Sequence, residues 1–520
     1  MKQRGERSPI SCRSSIRTTF LALMSLFMFA AVPFSAFSQE AAAEPLLLKT
    51  EIDVTADYKL RTEKTLIEAD GYRNGIDFRR EYLDRAPIAR IAFEYGAAKG
   101  LNLAVEAKIK RQWYGDYFYA TNLCNVGDAG NPIAVENKFV SRGLISWLSP
   151  SLDIHFGRDS VDMNDGLEGG LLPSARLPFY DAFRARGRLG NLTMDWMIAT
   201  IQARQSWEVN RLGSDTYDVN PNANTNGNPL EVDKNYYGWE DSDNPTIIAE
   251  ALHRFSWDFG AISLGVTGHT MMARRNNRFV LGDFFPVFSW HQAGILQTNN
   301  SMVLDFSWRP AANLLVAGQA GFDDISGQIF GIGDTAVPTI DAYVLGASYE
   351  SHTALGAVFA YTEAGYTHWL WGNYDGKSNP PYDQNPFMRF TFRYPLDSGS
   401  ALLPLTSPFG PGALWWLLRG DMEIGGSGFK LGTEALILYK HSKADLVHTN
   451  YFGDEPAGKT FFASFSVPVK YSIGAFMLLV SPAAIVQDGN VRGEFLVAVT
   501  WKYRAENAIG RSAALGYTMK

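Results

Sequence analysis

Cysteine is almost absent: 520 residues hold two, Cys12 and Cys124. Cys12 lies in a leader-like segment and Cys124 stands alone in a polar stretch, so neither an intramolecular disulfide nor a cysteine metal site is supported. Long apolar runs are missing too. Past the first forty residues the nearest rival to a membrane helix is Ile473–Val486, which is short and contains Pro482, and mean hydropathy is only −0.13. That excludes a helical membrane protein. No low-complexity or Pro/Gly/Ser linker divides the chain, although its length would suit about three soluble domains. There is no basic surplus either, since the formal charge is −7, and nucleic acid is therefore not an expected partner. No His-Glu-x-x-His zinc motif occurs and nothing calls for a cofactor. His253 with Ser256, and His441 with Ser442, come nearest to a hydrolase pair. Neither lies in a nucleophile motif, and each pair would sit on opposite faces of a strand, so the chain reads as no enzyme.

What is present begins with Lys2, Arg4, Arg7, Arg13 and Arg17, an apolar run from Phe20 to Phe37, and Ala36-Phe37-Ser38 before Gln39. A charged start, an apolar core and a small-x-small site make residues 1–38 a secretory signal peptide, with an uncleaved anchor as the alternative. The mature chain is then more acidic still. No cysteine follows the cleavage site, so a lipid anchor is not expected.

The most informative stretch is Asn299–Asp324. Met302, Leu304, Phe306 and Trp308 fall on one face of an extended strand, and Ser301, Asp305, Ser307 and Arg309 on the other, with Val303 among them. Pro310–Asn313 turns the chain, and Leu314, Val316, Gly318, Ala320 and Phe322 resume the small or apolar face opposite Gln319 and Asp323. Each arm is about ten residues, the length of a tilted strand that crosses a bilayer, whereas strands of soluble sandwiches run about five or six.

The unit recurs. Leu46–Leu60 makes a first strand, Arg90–Tyr95 and Leu101–Lys110 a hairpin with one face apolar and the other charged, and Glu494–Tyr503 a last strand with an aromatic-ended apolar face. Short turns are expected near Ala97–Gly100, Ser149–Ser151, Arg188–Asn191, Asp258–Gly260, Pro310–Asn313, Ser351–Thr353, Gly425–Gly428 and Tyr471–Ile473. Longer insertions lie between them, notably Tyr114–Asn137, Gln205–Pro245, Met272–Gln297 and Gly365–Pro386. Short connections on one side and long ones on the other give an all-β transmembrane antiparallel barrel over 39–503, of about 18 strands, 16 to 20, with periplasmic turns and extracellular loops. Phe387–Gly412 reads either as strand or, through Pro395, Pro404, Pro408 and Pro411, as loop. Residues 504–520 read as a periplasmic tail.

Several segments resemble the Wzi-type capsule-assembly family of outer-membrane barrels. They are Phe156-Gly157-Arg158-Asp159, then Gly169-Gly170-Leu171-Leu172 and Leu177-Pro178-Phe179; Leu252-His253-Arg254-Phe255; the hairpin ending in Phe322-Asp323-Asp324; Tyr361-Thr362-Glu363 leading to Tyr366-Thr367-His368; and Pro408-Phe409-Gly410-Pro411-Gly412. Asp162-Met163-Asn164-Asp165-Gly166 departs from the Trp-Gly-Pro-Gly-like turn that the family tends to carry there. The resemblance implies an outer-membrane barrel of roughly 18 strands, a lumen plugged by loops or a small helical element, and a surface role in holding capsular or other exopolysaccharide. A substrate-selective porin is the alternative. Membrane lipid and the outer-membrane insertion machinery are further expected partners, and the chain is expected to be a monomer.

Two constellations carry candidate chemistry. Arg158, Asp159, Asp162, Asp165 and Glu168 precede Arg176, Arg184, Arg186 and Arg188; with Asp305, Arg309, Asp323 and Asp324 they are expected to form a lumen charge network. It either pins a plug by internal ion pairs or grips a charged saccharide. Tyr366, Trp369, Trp371, Tyr374 and Tyr382 lie among amides and carboxylates including Asp375, a set able to stack on and hydrogen-bond a sugar, although an interfacial girdle accounts for Trp369 and Trp371 without any ligand. The Asn/Asp-rich Asn210–Asp243 lacks calcium-loop spacing and reads as a solvated loop.

Overall fold

A computed structural model describes residues 46–63, 78–96, 100–111, 120–123, 135–136, 140–204, 246–275, 298–324, 339–372, 390–396, 399–441 and 458–509. The strands open with β1 (Leu46–Arg61), β2 (Ala89–Gly96), β3 (Leu101–Arg111), β4 (Val135–Glu136), β5 (Arg142–Leu148), β6 (Leu152–Asp159), β7 (Tyr180–Leu189) and β8 (Leu192–Arg204). Next come β9 (Thr246–Asp258), β10 (Ile262–Arg275), β11 (Thr298–Ala311), β12 (Leu314–Asp324), β13 (Ile340–Thr353) and β14 (Gly356–Thr367). The chain ends with β15 (Thr391–Leu396), β16 (Gly399–Pro404), β17 (Ala413–Ile424), β18 (Phe429–His441), β19 (Lys459–Ser466), β20 (Val469–Ile473), β21 (Phe476–Gln487) and β22 (Asn490–Ile509).

Each stave of the barrel pairs antiparallel with the next, and β22 closes on β1 through 16 residue pairs from Leu46 against Ile509 to Arg61 against Glu494. β19 and β20 share one stave, β4 is two residues long, and β15 with β16 forms a separate sheet, so the closed barrel has 18 strands. The expected short turns whose residues are described fall at one end, at hairpins such as Arg188–Asn191 and Gly425–Gly428, while residues 97–99 lie outside the described residues. The last strand departs from expectation: it runs six residues beyond Tyr503, pairing Arg504–Ile509 with Leu46–Glu51, and the presumed tail begins as sheet. The sequence of that stretch, Arg-Ala-Glu-Asn-Ala-Ile, has weak alternation, and its partner strand holds it.

Polarity is inverted relative to a soluble protein. On β1, Val54, Tyr58 and Leu60 are exposed while Thr55, Asp57 and Lys59 are buried; on β13, Tyr343, Leu345 and Tyr349 face out while Ala342 and Val344 face in. An apolar outside on a closed sheet suits lipid, which cannot satisfy a free backbone edge. Tyr343 and Tyr349 bracket the belt on one strand, six residues or about 20 Å apart at ~3.3 Å per residue.

The interior is packed. Lumen-facing Met197, Leu252, Met271, Val303 and Ile340 are buried against Leu171, Leu172, Trp371, Phe390 and Leu405, residues of connections rather than staves. Phe387–Gly412 thus proves neither stave nor surface loop where described: its β15–β16 hairpin lies inside, with Phe392 edge-on to Phe179 at 5.3 Å and Tyr394 edge-on to Tyr82 at 5.8 Å. Nearer the short turns the interior becomes ionic, with Asp195, Arg254 and Asp305 buried.

Candidate functional site

Among the described residues the plug draws mainly on three connections. The first follows β1 and includes a single π-helical turn, Arg79–Leu83; the second, residues 160–179, joins β6 to β7; the third, between β14 and β17, carries the β15–β16 hairpin. Residues 160–179 cross to the opposite wall, where β12 and β14 take over backbone hydrogen bonds that a buried loop must satisfy and Arg419 of β17 pairs with Glu168.

Glu363 on β14 accepts the backbone N–H of Glu168 at 2.7 Å, that of Gly169 at 2.9 Å and the Trp415 indole N–H at 2.8 Å, and the Tyr361 hydroxyl donates to the same carboxylate. Gln319 on β12 accepts the N–H of Leu171 at 2.6 Å and donates to Asn164 at 3.1 Å. Asn164 in turn accepts the N–H of Leu172 and donates to the carbonyls of Leu172 and Pro173, each at 3.0 Å, closing the loop on itself. Glycine is needed where this happens. A Cβ on Gly169 would stand 2.6 Å from the Glu363 carboxylate, and one on Gly170 2.1 Å from the Asn164 side-chain oxygen. The departure Asp162–Gly166 therefore supplies, through Asn164, the loop's own clasp.

The expected charge network separates into short-range pairs. Arg158 grips Asp181 bidentately, both contacts 2.6 Å, and not Asp159, which pairs with Arg142 at 2.8 Å. Adjacent residues on β6 face opposite ways, so these two could not meet. Arg184 and Arg186 converge on Asp195 at 2.9 and 2.8 Å. Arg254 joins Asp305, at 2.9 Å, to Asp165 of the plug, at 3.2 Å. Asp162 accepts the N–H of Asn164 at 3.0 Å as a turn residue, and Asp323 accepts the N–H of Gly372 at 3.0 Å. Arg309 is exposed at the short-turn end and belongs to no lumen cluster, while Asp324 ends β12 and its side chain lies outside the described residues.

The aromatic set is likewise dispersed. Trp371 is 1% exposed and donates its indole N–H to Thr406 at 3.1 Å, so it is a core residue with no face for a sugar and no place in a girdle. Trp369 is half-buried against that core, and Tyr366 points outward on β14. Tyr374, Asp375 and Tyr382 lie outside the described residues.

A second ionic centre escaped the sequence reading. Glu81 of the π-helical turn meets Lys59 at 2.8 Å, Arg61, and Arg85 at 3.7 Å; Glu494 on β22 meets Arg61 at 2.6 Å, Arg80 at 2.9 Å and Arg492 at 3.2 Å; and Arg85 also clasps Asp57 at 2.6 Å. Burial pushes the Glu81 carboxyl up, but Lys59, Arg61 and Arg85 more than offset this and hold it below the usual carboxylate range. The first and last strands of a closed barrel are neighbours, so inward Asp57, Lys59 and Arg61 facing Arg492 and Glu494 was the available signal. Among the described residues no cluster fit to hold a metal ion is found.

No protein-family model and no curated protein matches the chain. Among solved structures it is similar to Wzi of Escherichia coli, an outer-membrane protein involved in group 1 capsule assembly and a carbohydrate-binding β-barrel, with 11% identity, 88% of this chain and 84% of that chain covered and a TM-score of 0.47. It is also similar to OprD of Pseudomonas aeruginosa, with 11% identity, 90% and 98% covered and a TM-score of 0.41. OccK1 (OpdK) of the same organism gives 11% identity, 88% and 99% covered and a TM-score of 0.40.

Proposed function

We propose that the chain is a monomeric outer-membrane barrel that binds rather than transports, and that its ligand is a polysaccharide at the cell surface. The observation that carries this reading is the filled lumen: residues 160–179, tied to the wall by Glu363, Gln319 and Arg254, occupy it together with the β15–β16 hairpin. A plug held by buried hydrogen bonds serves a receptor and obstructs a pore. The segments that resemble the capsule-assembly family supply many of these ties, which favours saccharide over another surface ligand.

The test is single-channel recording of the mature protein in planar bilayers, run beside a pull-down of capsular polysaccharide on vesicles carrying it. Electrical silence with polysaccharide retained is the expected result. Large, stable, ion-selective steps without retention would sink the reading in favour of the porin.

A further inference from the structure

The lumen also holds a cavity of about 340 Å³ that the plug ties do not use. It lies at the end of the long connections, among the end of β3, the π-helical turn, residues 160–179 and β15, and its size suits a small molecule. Three cations line it, Lys108, Lys110 and Arg176, against one carboxylate, Asp84. The other carboxylates nearby are already shared. Glu106 meets both Lys108, at 3.0 Å, and Arg90, at 2.6 Å, and Glu168 meets both Arg176 and Arg419. The Lys110 ammonium donates to the carbonyls of Tyr82 and Leu83 at 3.0 and 3.1 Å, and no carboxylate pairs with it among the described residues. Three protons and two carbonyls leave one donor.

Lys110 is enclosed, while Lys108 and Arg176 keep 37% and 35% of their side chains exposed and each meets a carboxylate; all three line the cavity with N–H donors to spare for an anion. Its remaining walls narrow the choice of anion. Asp84 and the Ser160 hydroxyl offer acceptors to ligand hydroxyls, while Leu177, Pro178 and Phe179 offer apolar surface. Bare inorganic anions have no use for either feature. A pyranose bearing a carboxylate uses all three. We propose that this cavity binds one acidic sugar, carboxylate toward Lys108, Lys110 and Arg176, and hydroxyls toward Asp84 and Ser160. The proposal rests on the polysaccharide reading for the source of that sugar, a residue within a chain rather than a free acid.

The experiment is calorimetric titration of the detergent-solubilised full-length mature barrel with D-galacturonate, its linear oligomers, D-galactose and inorganic phosphate. Ala175→Trp, which fills the cavity without removing a charge, and Lys108→Gln with Arg176→Gln are the variants. Heat-modifiable migration in gels checks that each has folded. Galacturonate or its oligomers should bind at least tenfold more tightly than galactose, lose tenfold or more in the double variant and fail to bind Ala175→Trp. Binding of oligomers but not of the monomer supports a chain residue as the ligand, and monomer binding as tight as that of the oligomers overturns that assignment. Phosphate binding as tightly as galacturonate, or acidic-sugar affinity unchanged in Ala175→Trp, overturns the proposal. Capsular polysaccharide retained equally by wild type and Ala175→Trp overturns it while leaving the polysaccharide reading intact; no retention by either removes both.

Discussion

Trp371 and Glu363 sit eight residues apart and mark the two ways a side chain is used inside this barrel. Trp371 fills space, and its one polar atom is matched by Thr406. Glu363 fills a hydrogen-bonding need, since the N–H groups of Glu168 and Gly169 and the Trp415 indole have it as acceptor. Glu363→Ala would strand the Gly169 N–H and the Trp415 indole at about 1–3 kcal/mol each, while the Glu168 N–H keeps the Tyr361 hydroxyl as acceptor. We expect the variant to stay folded yet show intermittent current in bilayers where the wild type is silent. On the outer face the rule reverses. Leu345, 56% exposed between Tyr343 and Tyr349, stands within the apolar belt. Leu345→Arg should cost about 2–4 kcal/mol, read from guanidinium unfolding in lipid vesicles. The same substitution at Leu355, at a short turn, should cost little.

At the scale of elements, the staves were legible from the residues, whereas a plug was expected only through the family resemblance and its contacts were not legible. Period-two alternation in β11, β12, β2 and β3 and turn chemistry at Arg188–Asn191 or Gly425–Gly428 are local, so strand order and the side of each connection followed. Alternation also says which residues point inward. It does not say what they meet, and a lumen-facing Gln319 or Glu363 reads the same whether it faces water or another loop. Trp371 shows this: the described residues of its connection, such as Leu370 and Phe390, pack inward with it. Arg158 and Asp159 are neighbours in sequence yet enter different ion pairs, with Asp181 and Arg142, because residues adjacent on a strand face opposite ways. The hairpin β15–β16 offers the sharpest test of the plug as an element. Replacing residues 391–404 by a short Gly/Ser linker removes Phe392, Tyr394 and Leu403 from the interior. The barrel should still refold, because no stave pairs with that hairpin in a ladder, and conductance should rise from none to steady steps.

For the molecule as a whole, closure concentrates opposite charges where the chain's first and last staves meet. Glu81 docks there among Lys59, Arg61 and Arg85. Its folded pKa lies below the unfolded value, so its contribution is complete above about pH 4.3 and disappears as pH falls through the lower folded value. Unfolding followed from pH 7 to pH 3 should show this loss in the acidic part of the range. Glu81→Gln should show a deficit already at pH 7, about 3–5 kcal/mol for a broken buried pair. The seam has one more implication. Leu46 and Ile509 are paired neighbours at the short-turn end, so the barrel wall is a circular string of hairpins with a single nick. A nick can be moved. Joining residue 509 to residue 46 through a short linker and opening the chain between Gly426 and Ser427 yields a permuted order of the same staves around the same lumen. It should refold in detergent to a heat-modifiable barrel as silent in bilayers as the parent, because the lumen is defined by which staves touch and not by which is made first.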